Sequence, residues 1–183
     1  MNIGIFSGSF DPVHIGHMII ANYITEFTDI DEIWFLISPQ NPFKKDNIMT
    51  DELFRLQMVQ LAVEEYTEFK ASDFEFTLPQ PSYTINTLQK LKEKYPKHTF
   101  SLIIGGDNWE AFDKWKDHES IIADHHIYVY PRLDYSISVA DNLKDRVTVL
   151  DSPIIEISST FIRKCINEGK TLKRSFPTKC LII

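Results

Sequence analysis

Apolar and polar positions follow two rhythms along this chain. Residues 2–6 and 33–37 are short, nearly unbroken apolar runs, of the length that a strand buried on both faces requires. The first is cut off by Ser7-Gly8-Ser9, and from about Ile15 the period becomes helical, with Ile20, Tyr23, Ile24 and Phe27 at i, i+3, i+4 and i+7. The second runs into a Pro-rich loop over 38–49. A helix follows, with Thr50 as its expected N-cap and Asp51 and Glu52 where carboxylates favour the helix dipole. Residues 69–76 alternate and predict a strand, after which Pro79 and Pro81 enforce a break. A helix from about Thr84 then places Ile85, Leu88, Leu91 and Tyr95 on one side. Further apolar runs at 100–104, 127–130 and 147–150 predict strands, and a final helix over 159–168 stops at Gly169.

Strands alternating with helices predict an α/β fold: a Rossmann-like, doubly wound, mostly parallel sheet with helices on both faces. The length of 183 residues suits one domain, spanning 1–183. In such sheets ligands gather at the carboxyl ends of the strands, so the segments 8–17, 39–45, 105–107 and 131–132, each following a predicted strand, are expected to converge.

Composition narrows the function. A net charge of −7 argues against a nucleic-acid partner, which usually meets a basic stripe. An anionic ligand would have to meet a local cluster of cations. The two cysteines, Cys165 and Cys180, are too few to staple a fold of this size and are expected as reduced thiols. No apolar run approaches the ~20 residues that span a bilayer, and the opening residues lack a basic export signal. The expected setting is the cytoplasm, with no membrane partner; a homo-oligomer stays open.

The chemistry concentrates in Gly8-Ser9-Phe10-Asp11-Pro12-Val13-His14-Ile15-Gly16-His17, between the first strand and the first helix. Gly8 and Gly16 let backbone approach a ligand, and a helix N-terminus offers free N–H groups to a phosphate. His14 and His17, three apart, would project from one side of the first turn and donate hydrogen bonds to phosphoryl oxygens. Ser158, Ser159 and Thr160 at a later helix start, with Arg163 one turn on, have the makings of a phosphate clamp.

His14-Ile15-Gly16-His17 resembles the motif of the His-x-Gly-His nucleotidyltransferase superfamily, and the similarity to bacterial nicotinate-nucleotide adenylyltransferases runs through nearly the whole chain. That resemblance implies transfer of the adenylyl group of ATP to nicotinate mononucleotide, giving the deamido dinucleotide and pyrophosphate in NAD biosynthesis, with Mg²⁺ accompanying ATP. By the same resemblance His14, His17, Lys44 and Arg163 are the catalytic residues. ATP would meet Gly8, Ser9, Phe10, Gly16, Gly105, Asp107, Arg132, Ser158, Ser159 and Thr160, with Asp107 at a ribose hydroxyl. Tyr83 and Thr84, in Pro81-Ser82-Tyr83-Thr84, and Trp115 would meet the acceptor, Trp115 stacking on its ring.

Each assignment has a plainer counterpart. Ser82 or Thr84 would serve equally as a helix cap, Trp109 and Trp115 as core, and Lys44 and Lys45 as surface charge. The chain departs from the family pattern at Phe43, where a His is usual, and in an apolar tail where another helix is common. Three readings compete: the same transfer to nicotinamide mononucleotide or phosphopantetheine, a nucleotide-binding module without turnover, and a metalloprotein using His14 and His17 with Asp11 or with His125 and His126. No protein ligand set for a metal is assigned.

Overall fold

The structure, a computed structural model, describes residues 1–39 and 50–177. Its elements run β1 (Asn2–Gly8), α1 (Ile15–Phe27), β2 (Glu32–Ile37), α2 (Glu52–Val63), β3 (Phe69–Ser72), α3 (Thr84–Lys94), β4 (Thr99–Gly105), α4 (Gly106–Glu110), α5 (His118–Asp124), β5 (Ile127–Tyr130), β6 (Val147–Val149) and α6 (Ser159–Asn167). The strands form one six-stranded sheet in the order β3-β2-β1-β4-β5-β6, and every pairing is parallel. The chain leaves β1 for one edge and returns beside it as β4, so the strand order reverses between these two. A crevice outside their carboxyl ends is the expected ligand site of such a sheet.

The apolar runs make both faces of the sheet. Phe35 and Ile37 of β2, Ile103 of β4 and Tyr128 of β5 join Ile20, Ala21 and Ile24 of α1 and Val59 and Val63 of α2 in one core. Ile3 and Ile5 of β1, Leu36, Leu102 and Val129 pack beneath Ile85, Leu88 and Leu91 of α3 and Ile121 of α5 in the other. Alternation along each strand sends neighbours to opposite faces, and unbroken apolar runs are what a sheet covered twice demands.

Three local expectations are corrected. Asp51, not Thr50, caps α2, its carboxylate accepting the Leu53 N–H at 2.8 Å. The alternating run 69–76 is not one strand: β3 ends at Ser72, and Phe74–Thr77 is a turn of 3₁₀ helix, which brings Glu75 to a buried position, 4% exposed. Neither Ser82 nor Thr84 caps α3; Tyr83 holds the N-cap position and makes no side-chain cap bond. The short helices α4 and α5 carry too little period to be read from sequence, and α5 is entered through Asp117 in the left-handed region at φ +50°.

Candidate active site

A cleft of about 710 Å³ opens over the carboxyl ends of β1 and β4, in the crevice where the strand order reverses. It is lined by the end of β1 and the loop after it (Ser7 to Phe10), His14 and His17 at the start of α1, the end of β4 with Asp107, Arg132 after β5, the start of α6 (Ser158, Ser159, Thr160, Arg163) and, at one end, Ser82, Tyr83, Thr84, Lys114, Trp115 and Lys116.

The two histidines are fixed by the start of α1. His14 occupies the N-cap position with extended backbone, and its N–H donates to His17 Nδ1 at 3.2 Å. The rings stack, with centroids 3.7 Å apart and planes inclined by 25°. Because Nδ1 of His17 accepts, neutral His17 carries its proton on Nε2, ready to donate. Phe10, at φ +45° and only 2% exposed, lies edge-on to His17 at 5.1 Å. A non-glycine residue in that region carries strain, and this one sits where the loop braces an imidazole. Burial, then the positive charge of Arg132, pull the His14 pKa from 6.5 down to about 4. His17 is lowered too, by burial first and then by His14 and Arg132. Both rings are therefore neutral donors at neutral pH.

Close approach explains two glycines. A Cβ on Gly16 would lie 2.9 Å from the side chains of Ile155 and Ile157, and one on Gly105 2.4 Å from an Asp107 carboxylate oxygen. Asp107 and Arg132 stand 3.6 Å apart as a partly exposed ion pair. Arg163 donates to the Asp11 carbonyl and, at 3.3 Å, to the Thr160 hydroxyl. Ser158 caps α6 by accepting the Phe161 N–H at 3.2 Å, and the Ser159 hydroxyl donates to the Pro12 carbonyl at 2.9 Å. The loop before α1 and the start of α6, far apart in sequence, are thus bonded to each other.

Of the residues singled out in the sequence, Gly8, Ser9, Phe10, His14, His17, Gly105, Asp107, Arg132, Ser158, Ser159, Thr160, Arg163, Tyr83, Thr84 and Trp115 all line this cleft. Gly16 lines a small recess directly behind the histidines. Lys44, Lys45 and Phe43 lie outside the described residues. Trp109 faces away, its indole N–H donating to the Ser138 carbonyl at 3.0 Å and its ring stacked on Phe112. His125 and His126 precede β5, at the opposite end of the sheet, and bond to the Phe100 carbonyl and the Thr148 hydroxyl. Among the described residues no group of three or more His, Cys, Asp and Glu side chains converges in metal-ligating fashion.

Sequence reading missed two buried residues. Arg55 is 0% exposed and donates to four carbonyls: Ser9 at 2.6 Å, Ser38 at 2.8 Å, Thr50 at 2.9 Å and Pro39 at 3.2 Å. It binds the loops after β1 and β2 to the start of α2. A signal existed, since Arg55 shares the inward stripe of α2 with Val59, Ala62 and Val63. Glu75 lines the cleft beside Ser82, and in the sequence it is one polar position of an alternating run.

The cytidylyltransferase-like family matches the chain over residues 5–165. The chain is 52% identical over 180 residues to a Flavobacterium johnsoniae protein named "Probable nicotinate-nucleotide adenylyltransferase", covering 98% of this chain and 93% of that one. A Bacteroides fragilis protein of the same name is 53% identical over 170 residues, covering 93% and 84%. The solved structure of Plasmodium falciparum nicotinic acid mononucleotide adenylyltransferase complexed with NaAD superposes with a TM-score of 0.78 at 22% identity, covering 94% of this chain and 87% of that one, which establishes the shared fold. With the family match and these full-length relatives in agreement, the chain belongs to the cytidylyltransferase-like family and, within it, to the nicotinate-nucleotide adenylyltransferases.

Proposed function

We propose that this protein transfers the adenylyl group of ATP to nicotinate mononucleotide, releasing pyrophosphate and forming the deamido dinucleotide of NAD biosynthesis. The observation that carries the reading is a single cleft at the strand-order reversal with two neutral, stacked histidines at one helix start, an arginine at another, and an aromatic, lysine-flanked recess at its far end.

The attacking oxygen belongs to the acceptor's phosphate and is already ionised near neutral pH, so no general base is needed. It forms a bond to the α-phosphorus of ATP as the bond to the pyrophosphate oxygen breaks, and the electron pair leaves with pyrophosphate. His17, through its Nε2 proton, is assigned to the α-phosphoryl oxygens, with His14 stacked beside it; charge spread over those oxygens strengthens each bond in the transition state. Arg132, Arg163 and Lys44 neutralise the phosphates. Asp107 is assigned to a ribose hydroxyl, and Trp115 and Thr84 to the acceptor ring. Mg²⁺ arriving with ATP would supply further charge neutralisation at the phosphates.

The choice between acid and amide rests on what faces the ring substituent. Lys114 and Lys116 flank Trp115 in the cleft wall, and the Lys116 ammonium lies 4.7 Å from the centre of the Tyr83 ring. Cations at that end support an acceptor bearing a carboxylate. No described helix is long and apolar enough to cross a membrane, and the cytoplasm is the proposed setting.

A product assay with ATP and Mg²⁺ and, in parallel, nicotinate mononucleotide, nicotinamide mononucleotide and phosphopantetheine tests this. Turnover chiefly with nicotinate mononucleotide is expected. Preference for another acceptor overturns the acceptor assignment, and ATP binding without pyrophosphate release overturns the enzymatic one.

A further inference from the structure

One buried ionisable group in the cleft wall has no part in the transfer chemistry above. The Glu75 carboxylate accepts hydrogen bonds from three hydroxyls: Ser38 at 2.8 Å, Ser82 at 3.1 Å and Thr87 at 3.0 Å. These belong to three separate pieces of chain: the segment after β2, the turn before α3 and the first turns of α3. Ser82 and Thr87 are themselves buried, 8% and 1% exposed. The network continues outward, since the Ser38 hydroxyl lies 3.1 Å from that of Ser7 at the end of β1, and the Ser38 carbonyl accepts from Arg55. The Glu75 carbonyl also accepts from the Gln80 side chain at 3.0 Å, tying down the strand of backbone that leads to Pro81.

We infer that Glu75 is a positioning residue for acceptor recognition, holding Tyr83 and Thr84 at the mouth of the recess through its bonds to Ser82 and Thr87. Tyr83 and Thr84 have no cap of their own: the helix they begin has no side-chain bond at its N-cap, so their placement depends on the residues on either side of them. Those residues, Ser82 and Thr87, both point their hydroxyls at one carboxylate. Burying a carboxylate is costly unless hydrogen bonds satisfy it, and burial does push the Glu75 pKa up while the three hydroxyls pull it down. A merely structural residue at this position would be served by an apolar side chain filling the same space. An acceptor-only group surrounded by donors instead fixes the direction of each hydroxyl, and so the backbone that carries them.

The inference rests on the proposed reaction, and its test separates the two. Wild type, Glu75→Gln, Glu75→Ala, Ser82→Ala and the double variant Glu75→Ala/Ser82→Ala are assayed with ATP and whichever mononucleotide wild type uses, varying one substrate at a time, with thermal melting in parallel. Wild-type turnover alone tests the reaction. Glu75→Ala is expected to raise the acceptor KM about tenfold, with the KM for ATP changed by less than about twofold and kcat by less than about threefold. Glu75→Gln, which keeps shape and one acceptor oxygen, is expected to recover part of that loss. The double variant is expected to be no worse than Glu75→Ala, because both changes cut the same link. An unchanged acceptor KM, equal changes in both KM values, or additive effects would overturn the inference. Should Glu75→Ala fail to fold, the KM split in Glu75→Gln decides it.

Discussion

His17 owes its usefulness to His14. The N–H of His14 occupies Nδ1 of His17, which leaves the proton on Nε2, while burial above all keeps both rings uncharged, helped at His14 by Arg132 and at His17 by His14 and then Arg132. A neutral imidazole that donates its Nε2 proton from a fixed position loses little in reorganisation when charge develops on a phosphoryl oxygen. His17→Ala is therefore expected to lower kcat by about 10²–10³-fold, the range found when one preorganised donor to a developing oxyanion is removed, with the KM values little changed; steady-state kinetics in both substrates checks it. A fall in affinity alone would make His17 a ground-state binder. At this scale much was legible: the spacing of His14 and His17 after an apolar strand predicts two imidazoles together at a helix start, and both line the cleft. The stacking and the proton's location were not, because they depend on backbone angles at His14 and on the ring of Phe10 folded against His17.

The elements hold the loops, and two of their devices can be tested by stability. Arg55 on α2 satisfies four carbonyls in the loops after β1 and β2 and before α2. Replacing it by Met fills the space and strands those acceptors. Arg55→Met is expected to cost about 3 kcal/mol in urea unfolding and to weaken ATP binding, because the Ser9 carbonyl it grips lies in the loop that lines the cleft. At the other end of the chain, α6 terminates through Gly169 at φ +70°. Its N–H bonds to the Ile166 carbonyl, and the N–H of Lys170 to that of Cys165, both at 2.9 Å, the paired pattern of a Schellman ending. A Cβ at Gly169 meets nothing within 4 Å, so Gly169→Ala isolates the conformational cost of a left-handed residue, about 1 kcal/mol. A neutral result would show that the ending tolerates another geometry. Gly169 could be read directly as a helix stop. The role of Arg55 could not, although its place on an inward stripe was visible, because its partners lie up to 46 positions away.

Across the whole molecule, an acidic chain of net charge −7 concentrates Arg132, Arg163, Lys114 and Lys116 around one cleft, and the histidines buried in its wall carry a pH signature. His14 is lowered to about 4 against 6.5 when unfolded, so between those values the unfolded chain binds protons that the folded one refuses. Stability then falls as pH drops from 6.5 toward 4, and above 6.5 the shift contributes nothing. For His14 alone the full loss is about 3 kcal/mol, and His17 adds in the same direction. Glu75, raised by burial, acts oppositely: the folded chain takes its proton first as pH falls, offsetting part of the loss. Urea midpoints from pH 7.5 to 5 are expected to fall in wild type and to fall less steeply in His14→Asn; identical slopes would refute the assignment. The sequence by itself determined the parallel α/β architecture and the helix starts of α1 and α6 that line the cleft, because unbroken apolar runs, helical periods, glycines and hydroxyl-bearing helix starts are local features that act within one or two turns. Only the tertiary structure decided that Glu75 and the lysines beside Trp115 line the same cleft, and that Arg55 holds the loops after β1 and β2 beneath it. Their meaning lies in hydrogen bonds and charges that meet across the carboxyl ends of β1, β2 and β4, where strand order, and not distance along the chain, determines which groups become neighbours.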